Sequence, residues 1–135
     1  MIKTCLGIGF ILIPALASAT TWVCHNKDME ITCTPEKCTS SGGFTPMNIS
    51  FSDHGSMTIC AYSGCWEGKG TVLISGNHIL ISGHKLDWRG ATHGSDDFMV
   101  ALDESTGIAV VNGDGFAMPL ICRPENMAKP PHAEK

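Results

Sequence analysis

The cadence of turn signals constrains this chain most. From residue 20 onward no apolar run repeats at the helical interval. The runs are short and alternate instead. Phe98, Val100 and Leu102 alternate with Asp97, Met99 and Ala101, and Met57, Ile59 and Ala61 alternate with Thr58, Cys60 and Tyr62. Ile79 and Ile81 flank Leu80 in the same way. An interval of two is the strand period, and β-branched and aromatic side chains suit a pleated surface.

The punctuation agrees. Gly76-Asn77 divides Thr71–Ser75 from His78–Ser82 and reads as a two-residue hairpin. Asn112-Gly113-Asp114-Gly115 divides Ile108–Val111 from Phe116–Cys122, and Asp103–Gly107 divides Asp97–Leu102 from Ile108–Val111. Asp53-His54-Gly55 divides Asn48–Ser52 from Ser56–Tyr62. Thr21–Cys24 and Met29–Cys33 read as an opening hairpin through Asn26-Lys27-Asp28. About nine short strands at this spacing predict an all-β chain, an antiparallel meander forming a barrel or sandwich. Pro119 would place the last strand at an edge or give it a bulge. Thr34–Met47 and Gly83–Asp96 lack a period and read as long loops, with a helix over Gly83–Asp96 as the alternative.

The N-terminus carries an address. Lys3 precedes an apolar stretch from Cys5 to Leu16 that contains Pro14, and Ala17-Ser18-Ala19 follows as a small-x-small site. This is the pattern of a cleaved signal peptide, residues 1–19, so the chain is expected to be exported to the periplasm or the exterior. It leaves a β domain over 20–122 and a proline-containing tail over 123–135 that is expected to be disordered. No membrane span is expected after processing. Lys3 and Cys5 leave with the leader, so the net charge moves from -4 to -5 and the seven cysteines become six. An acidic balance of this kind excludes a basic nucleic-acid binder.

Six cysteines in a small exported domain imply a disulfide framework. Cys33 and Cys38 enclose Thr-Pro-Glu-Lys, and Cys60 and Cys65 enclose Ala-Tyr-Ser-Gly. One arrangement pairs Cys33–Cys38, Cys60–Cys65 and Cys24–Cys122, the last joining the first strand to the last. A rival arrangement pairs Cys24 with Cys33 and sends Cys38 to a distant partner. The spacing is loose for zinc, and no C-x-x-C occurs for redox work.

Catalytic patterns are missing: there is no G-x-S-x-G, no H-E-x-x-H and no glycine-rich loop opening a helix. The acidic residues Asp53, Asp103, Glu104 and Asp114 sit at turns, where solvation is their ordinary role. No cofactor is expected. A metal reading is confined to His84, Asp87 and His93 in one expected loop, imidazole and carboxylate being suitable donors. Asn48-Ile-Ser is a formal glycosylation sequon.

The most distinctive segment is Ala61–Gly70, which sets Tyr62, Trp66, Glu67 and Lys69 among three glycines beside a possible Cys60–Cys65 bridge. Rigid aromatic side chains on a preorganised loop suit binding, with Glu67 and Lys69 as a polar rim. The competing reading puts Trp66 and Tyr62 in the core, as for Trp22 and Trp88. The expected function is a non-enzymatic binding module for a protein or small ligand. The build, acidic, exported, disulfide-stapled and strand-rich, resembles that of small periplasmic β-barrel inhibitors of lysozyme. The resemblance is architectural and assigns no residue a role; it implies inhibition of a cell-wall hydrolase as one alternative, with metal binding as another.

Overall fold

The computed structural model describes residues 19–26, 29–113 and 115–127. Residues 1–18 of the expected 1–19 leader, residues 128–135 of the expected 123–135 tail, and Lys27, Asp28 and Asp114 lie outside the described residues. Ten strands follow one another: β1 (Thr21–His25), β2 (Glu30–Cys33), β3 (Cys38–Ser41), β4 (Met47–Ser52), β5 (Ser56–Ala61), β6 (Gly64–Ser75), β7 (His78–Arg89), β8 (Ser95–Asp103), β9 (Ile108–Gly113) and β10 (Phe116–Pro124). A short 3-10 turn, Glu125–Met127, ends the described chain.

The strands β4 to β10 form a continuous antiparallel meander, and β1 inserts between its two ends, pairing with β4 and β10. That closes an eight-stranded barrel and excludes the sandwich. Eight strands leave an interior just wide enough for side chains to fill. Here Phe51, Met57, Ile59, Ile81, Phe98, Val100, Leu102, Val111 and Met118 fill it, each at most 2% exposed. They come from alternate positions, as the strand period requires. Fully burying a Leu, Ile or Phe side chain stabilises by about 1.5–3 kcal/mol, so this filled interior carries the fold.

The β2–β3 hairpin stands outside the ring, joined to β10 through Thr32 opposite Phe116 and Ile31 opposite Ala117. The expected opening hairpin between Thr21–Cys24 and Met29–Cys33 is therefore not formed. Cys24 faces Cys122 across the β1–β10 seam, and that pairing takes β1 away from β2. Pro119 lies neither on an edge strand nor at a bulge. It falls between the stretch of β10 paired with β2 and the stretch paired with β1, where β10 has β9 alone as neighbour. A residue without an N–H can face the open side there.

Three further expectations are corrected. Gly83–Asp96 is neither a long loop nor a helix, because β7 continues to Arg89 and only a short connection separates it from β8. Irregular spacing at 83–86 hid the strand: a bulge between Gly83 and Leu86 puts Lys85 at φ 51° and shifts the alternation by a residue. Thr34–Met47 contains β3, whose residues are all exposed and so carry no apolar alternation. At the other terminus, Arg123 and Pro124 belong to β10 rather than to a tail.

The disulfides are Cys24–Cys122, Cys33–Cys38 and Cys60–Cys65, the first of the two arrangements set out above. Each joins residues directly opposite one another in an antiparallel pair. Among the described residues no helix is long and apolar enough to cross a membrane.

Candidate functional site

One end of the barrel gathers the Tyr62-Ser63 turn, the β7–β8 connection at 90–94, the β9–β10 turn and the β2–β3 hairpin. Its floor is a row of aromatic rings contributed by the inward positions of four strands. Trp88 from β7 meets Trp66 from β6 at 4.4 Å between ring centres, Trp66 meets Phe98 from β8 at 5.0 Å, and Phe98 meets Phe116 from β10 at 6.3 Å. All three contacts are tilted, a favoured geometry for aromatic quadrupoles.

Glycines make room for this row. A Cβ at Gly64 would lie within van der Waals overlap of the Trp88 ring, at 2.4 Å, and one at Gly90 would lie 2.3 Å from Trp88 Nε1. Gly113 clears the same space for Phe98. Large rings and absent side chains alternate so that the mouth accepts two indoles without widening.

Above the floor stands Tyr62, 87% exposed, at the first position of a two-residue turn between Ala61 and Gly64. Its φ is 55°, in the left-handed region that few non-glycine residues occupy. Positive φ at the first turn position alone is a primed hairpin pattern, whose twist matches the flanking strands. Its hydroxyl shares a 2.9 Å hydrogen bond with Thr45 Oγ1, and Glu30 Oε2 accepts from the Thr45 N–H at 3.4 Å. The Cys60–Cys65 bridge closes the hairpin immediately below. The exposed ring is thus pinned at its backbone, at its hydroxyl and at its base.

Tyr62, Trp66, Trp88, Thr92, His93, Gly94 and Asp96 line a cleft of about 360 Å³ at this mouth. Asp96 Oδ2 accepts a hydrogen bond from Trp66 Nε1 at 2.9 Å. The 90–94 connection is tied back by the Trp88 N–H donating to the Gly94 carbonyl at 3.0 Å.

Of the four residues expected to bind, the structure brings Tyr62 and Trp66 together and separates the other two. Because Trp66 points inward, Glu67 points outward, as strand alternation demands, and Lys69 lies further along the exposed wall opposite Ser56. Glu67 lies opposite Asp87, and Arg89 approaches both, at 3.9 Å and 3.6 Å. These exposed pairs contribute little to stability. Glu67 and Lys69 form no rim to the cleft. Trp66 is both core and site, half-buried on Phe98 and open at its upper edge. Trp22 is core, at the opposite end.

The metal alternative is not assembled. His84 Nδ1 donates to Asp97 Oδ2 at 2.9 Å on the outer wall, while His93 stands at the mouth. Among the described residues no three His, Cys, Asp or Glu side chains converge as metal ligands. Asp97 also accepts the Lys85 N–H at 2.7 Å; that backbone bond first, and His84 second, hold its pKa below the ordinary carboxylate value. Asp103 is held low by the hydroxyl and N–H of Ser105.

Trp88, Thr92, Asp96 and the strut Thr45 were missed as site residues, and His93 was singled out only as a metal donor. For Trp88 a signal existed. Counting back from the Gly76-Asn77 turn sets Trp66 opposite position 87, and one bulge residue in β7 between Gly83 and Asp87 moves its partner to Trp88. No family model matches the chain, and no curated protein or solved structure is similar to it.

Proposed function

We propose that this barrel is an exported, non-enzymatic binding module whose contact site is the aromatic mouth. The observation that carries the reading is Tyr62, an exposed ring held in a sterically costly backbone conformation by a bridged hairpin. Backbone strain of this kind costs on the order of 1–3 kcal/mol and persists only where surrounding structure enforces it. Holding an aromatic side chain in place before contact reduces the ordering cost of association. The filled interior supports the same reading, because it leaves the mouth and the outer wall for contact with a partner. Export is supported by the leader composition and by three disulfides, which persist in oxidising compartments.

Capture of binding proteins by immobilised wild-type chain, beside a Tyr62→Ala chain of matched melting temperature, tests the site. A protein retained by the wild type and lost from the variant supports the reading. Equal retention by both moves the contact surface away from the mouth. For export, the intact mass of secreted protein should correspond to a chain beginning at Thr20, and retention of Met1–Ala19 in that material would overturn it.

A further inference from the structure

The chemistry of the mouth specifies the group it receives. We infer that the cleft takes a cationic side chain of the partner, an arginine guanidinium, seated between the aromatic faces and the carboxylate of Asp96. This inference rests on the mouth being the contact site.

Three features of the cleft agree on a cation. Its walls are the rings of Tyr62, Trp66 and Trp88, whose negative faces attract cations, Trp most strongly. Its acidic member is Asp96, which the flanking strand pairing directs inward opposite Leu86 rather than to the outer wall. One oxygen of that carboxylate is occupied by Trp66 Nε1, while Oδ1 takes no hydrogen bond or ion pair among the described residues. The nearest guanidinium of the chain itself, Arg89, is engaged on the outer wall by Glu67 and Asp87 and so does not neutralise the mouth. His93 and Thr92 complete the polar lining of the cleft.

Arginine fits this arrangement better than lysine. A planar, weakly hydrated guanidinium stacks on an aromatic face while donating sideways to a carboxylate. The net charge of the whole chain, -4, favours the approach of a basic surface.

The probe is a blocked Gly-Arg-Gly peptide, with blocked Gly-citrulline-Gly as its uncharged counterpart of nearly equal shape. The readout is the indole N–H resonances of Trp66 and Trp88, with that of Trp22 at the far end as the internal reference. The arginine peptide should shift Trp66 and Trp88 saturably and leave Trp22 unmoved. The citrulline peptide should bind about tenfold more weakly or worse. Asp96→Asn, whose side-chain oxygen can still accept the Trp66 N–H, should lose about as much affinity at an unchanged melting temperature. Asp97→Asn, facing the outer wall, should bind like the wild type. Equal binding of the two peptides, or an Asp96→Asn chain that binds arginine normally, overturns the cationic assignment while leaving the mouth as a contact site. Absence of any saturable shift with either peptide also overturns it. The reading of the mouth itself is judged separately, by loss or retention of the captured protein in Tyr62→Ala.

Discussion

Two hairpins in this protein share one covalent frame and differ in everything the frame does not specify. Cys33 faces Cys38 and Cys60 faces Cys65, each pair followed by one more opposed pair and a two-residue turn. In the first hairpin the Thr34 N–H donates to the Lys37 carbonyl at 2.8 Å around Pro35-Glu36. Pro35 fixes a negative φ, and Thr34 Oγ1 accepts from the N–H groups of Glu36 and Lys37. The turn satisfies itself locally, without backbone strain. In the second hairpin Tyr62 takes a φ of 55° with no such local support. The first hairpin projects from the barrel through two register pairs, while the second continues β5 and the long β6 of the closed wall. Types I and II splay a hairpin, and a closed, twisted wall does not tolerate splaying. The strain at Tyr62 is the consequence of building the turn into the barrel.

The comparison breaks first at the disulfides. Replacing Cys24 and Cys122 together by Ala should cost the most, about 4–5 kcal/mol in the chain-entropy account of a loop of roughly a hundred residues. Removing either C-x4-C bridge should cost about 2 kcal/mol on the same account. Denaturant unfolding of the three double variants gives the order directly. If the two short bridges are equal in stability but removal of Cys60–Cys65 alone weakens partner binding, the second hairpin is specialised for contact.

The mouth itself is next. Gly64→Ala should displace Trp88 and destabilise the chain by about 1–3 kcal/mol, as overpacking does. Near-ultraviolet circular dichroism should report the altered indole pair, whereas Gly42→Ala, with open space around its Cβ, should change nothing. A normal Trp signal in Gly64→Ala would contradict the close fit.

Tyr62 gives a smaller effect with a diagnostic sign. Tyr62→Gly should be more stable than Tyr62→Ala by about 1 kcal/mol, because only glycine occupies that φ without penalty. Both should lose partner affinity, on the order of 2 kcal/mol if Tyr62 anchors the contact. Thermal melts beside binding measurements separate the two terms. At the other hairpin Pro35→Ala should destabilise slightly, by no more than about 1 kcal/mol, and leave binding intact.

The smallest effect concerns the bulged outer wall. Asp97 has a lower pKa folded than unfolded, through the Lys85 N–H and His84. Its contribution is fully present above the ordinary carboxylate value and is lost as pH falls through the folded one. Melting temperature followed below about pH 4 should therefore fall less steeply in Asp97→Asn. An unchanged acid limb would mean that the bulge is held by its own backbone.

The alternating runs and turn dipeptides made most strands legible from composition and spacing. The long arms of β6 and β7 were not, because a bulge in β7 interrupts its period and glycines stand where apolar residues would mark the inner face. One of those glycines, Gly64, also makes space for the Trp88 ring, so part of the site was concealed by the device that builds it.

The sequence by itself determined the all-β character and the turn positions, since these follow from side-chain periodicity and the φ preferences of Gly, Asn and Pro within a few residues. It also marked Tyr62 and Trp66 as an unusual pair. Whether β1 would pair with β2 or close the ring, and which way each side chain beyond a bulge would face, are long-range matters of register. Only the closed tertiary structure, in which Cys24 meets Cys122 and the Tyr62 turn must follow the twist of the wall, decided them.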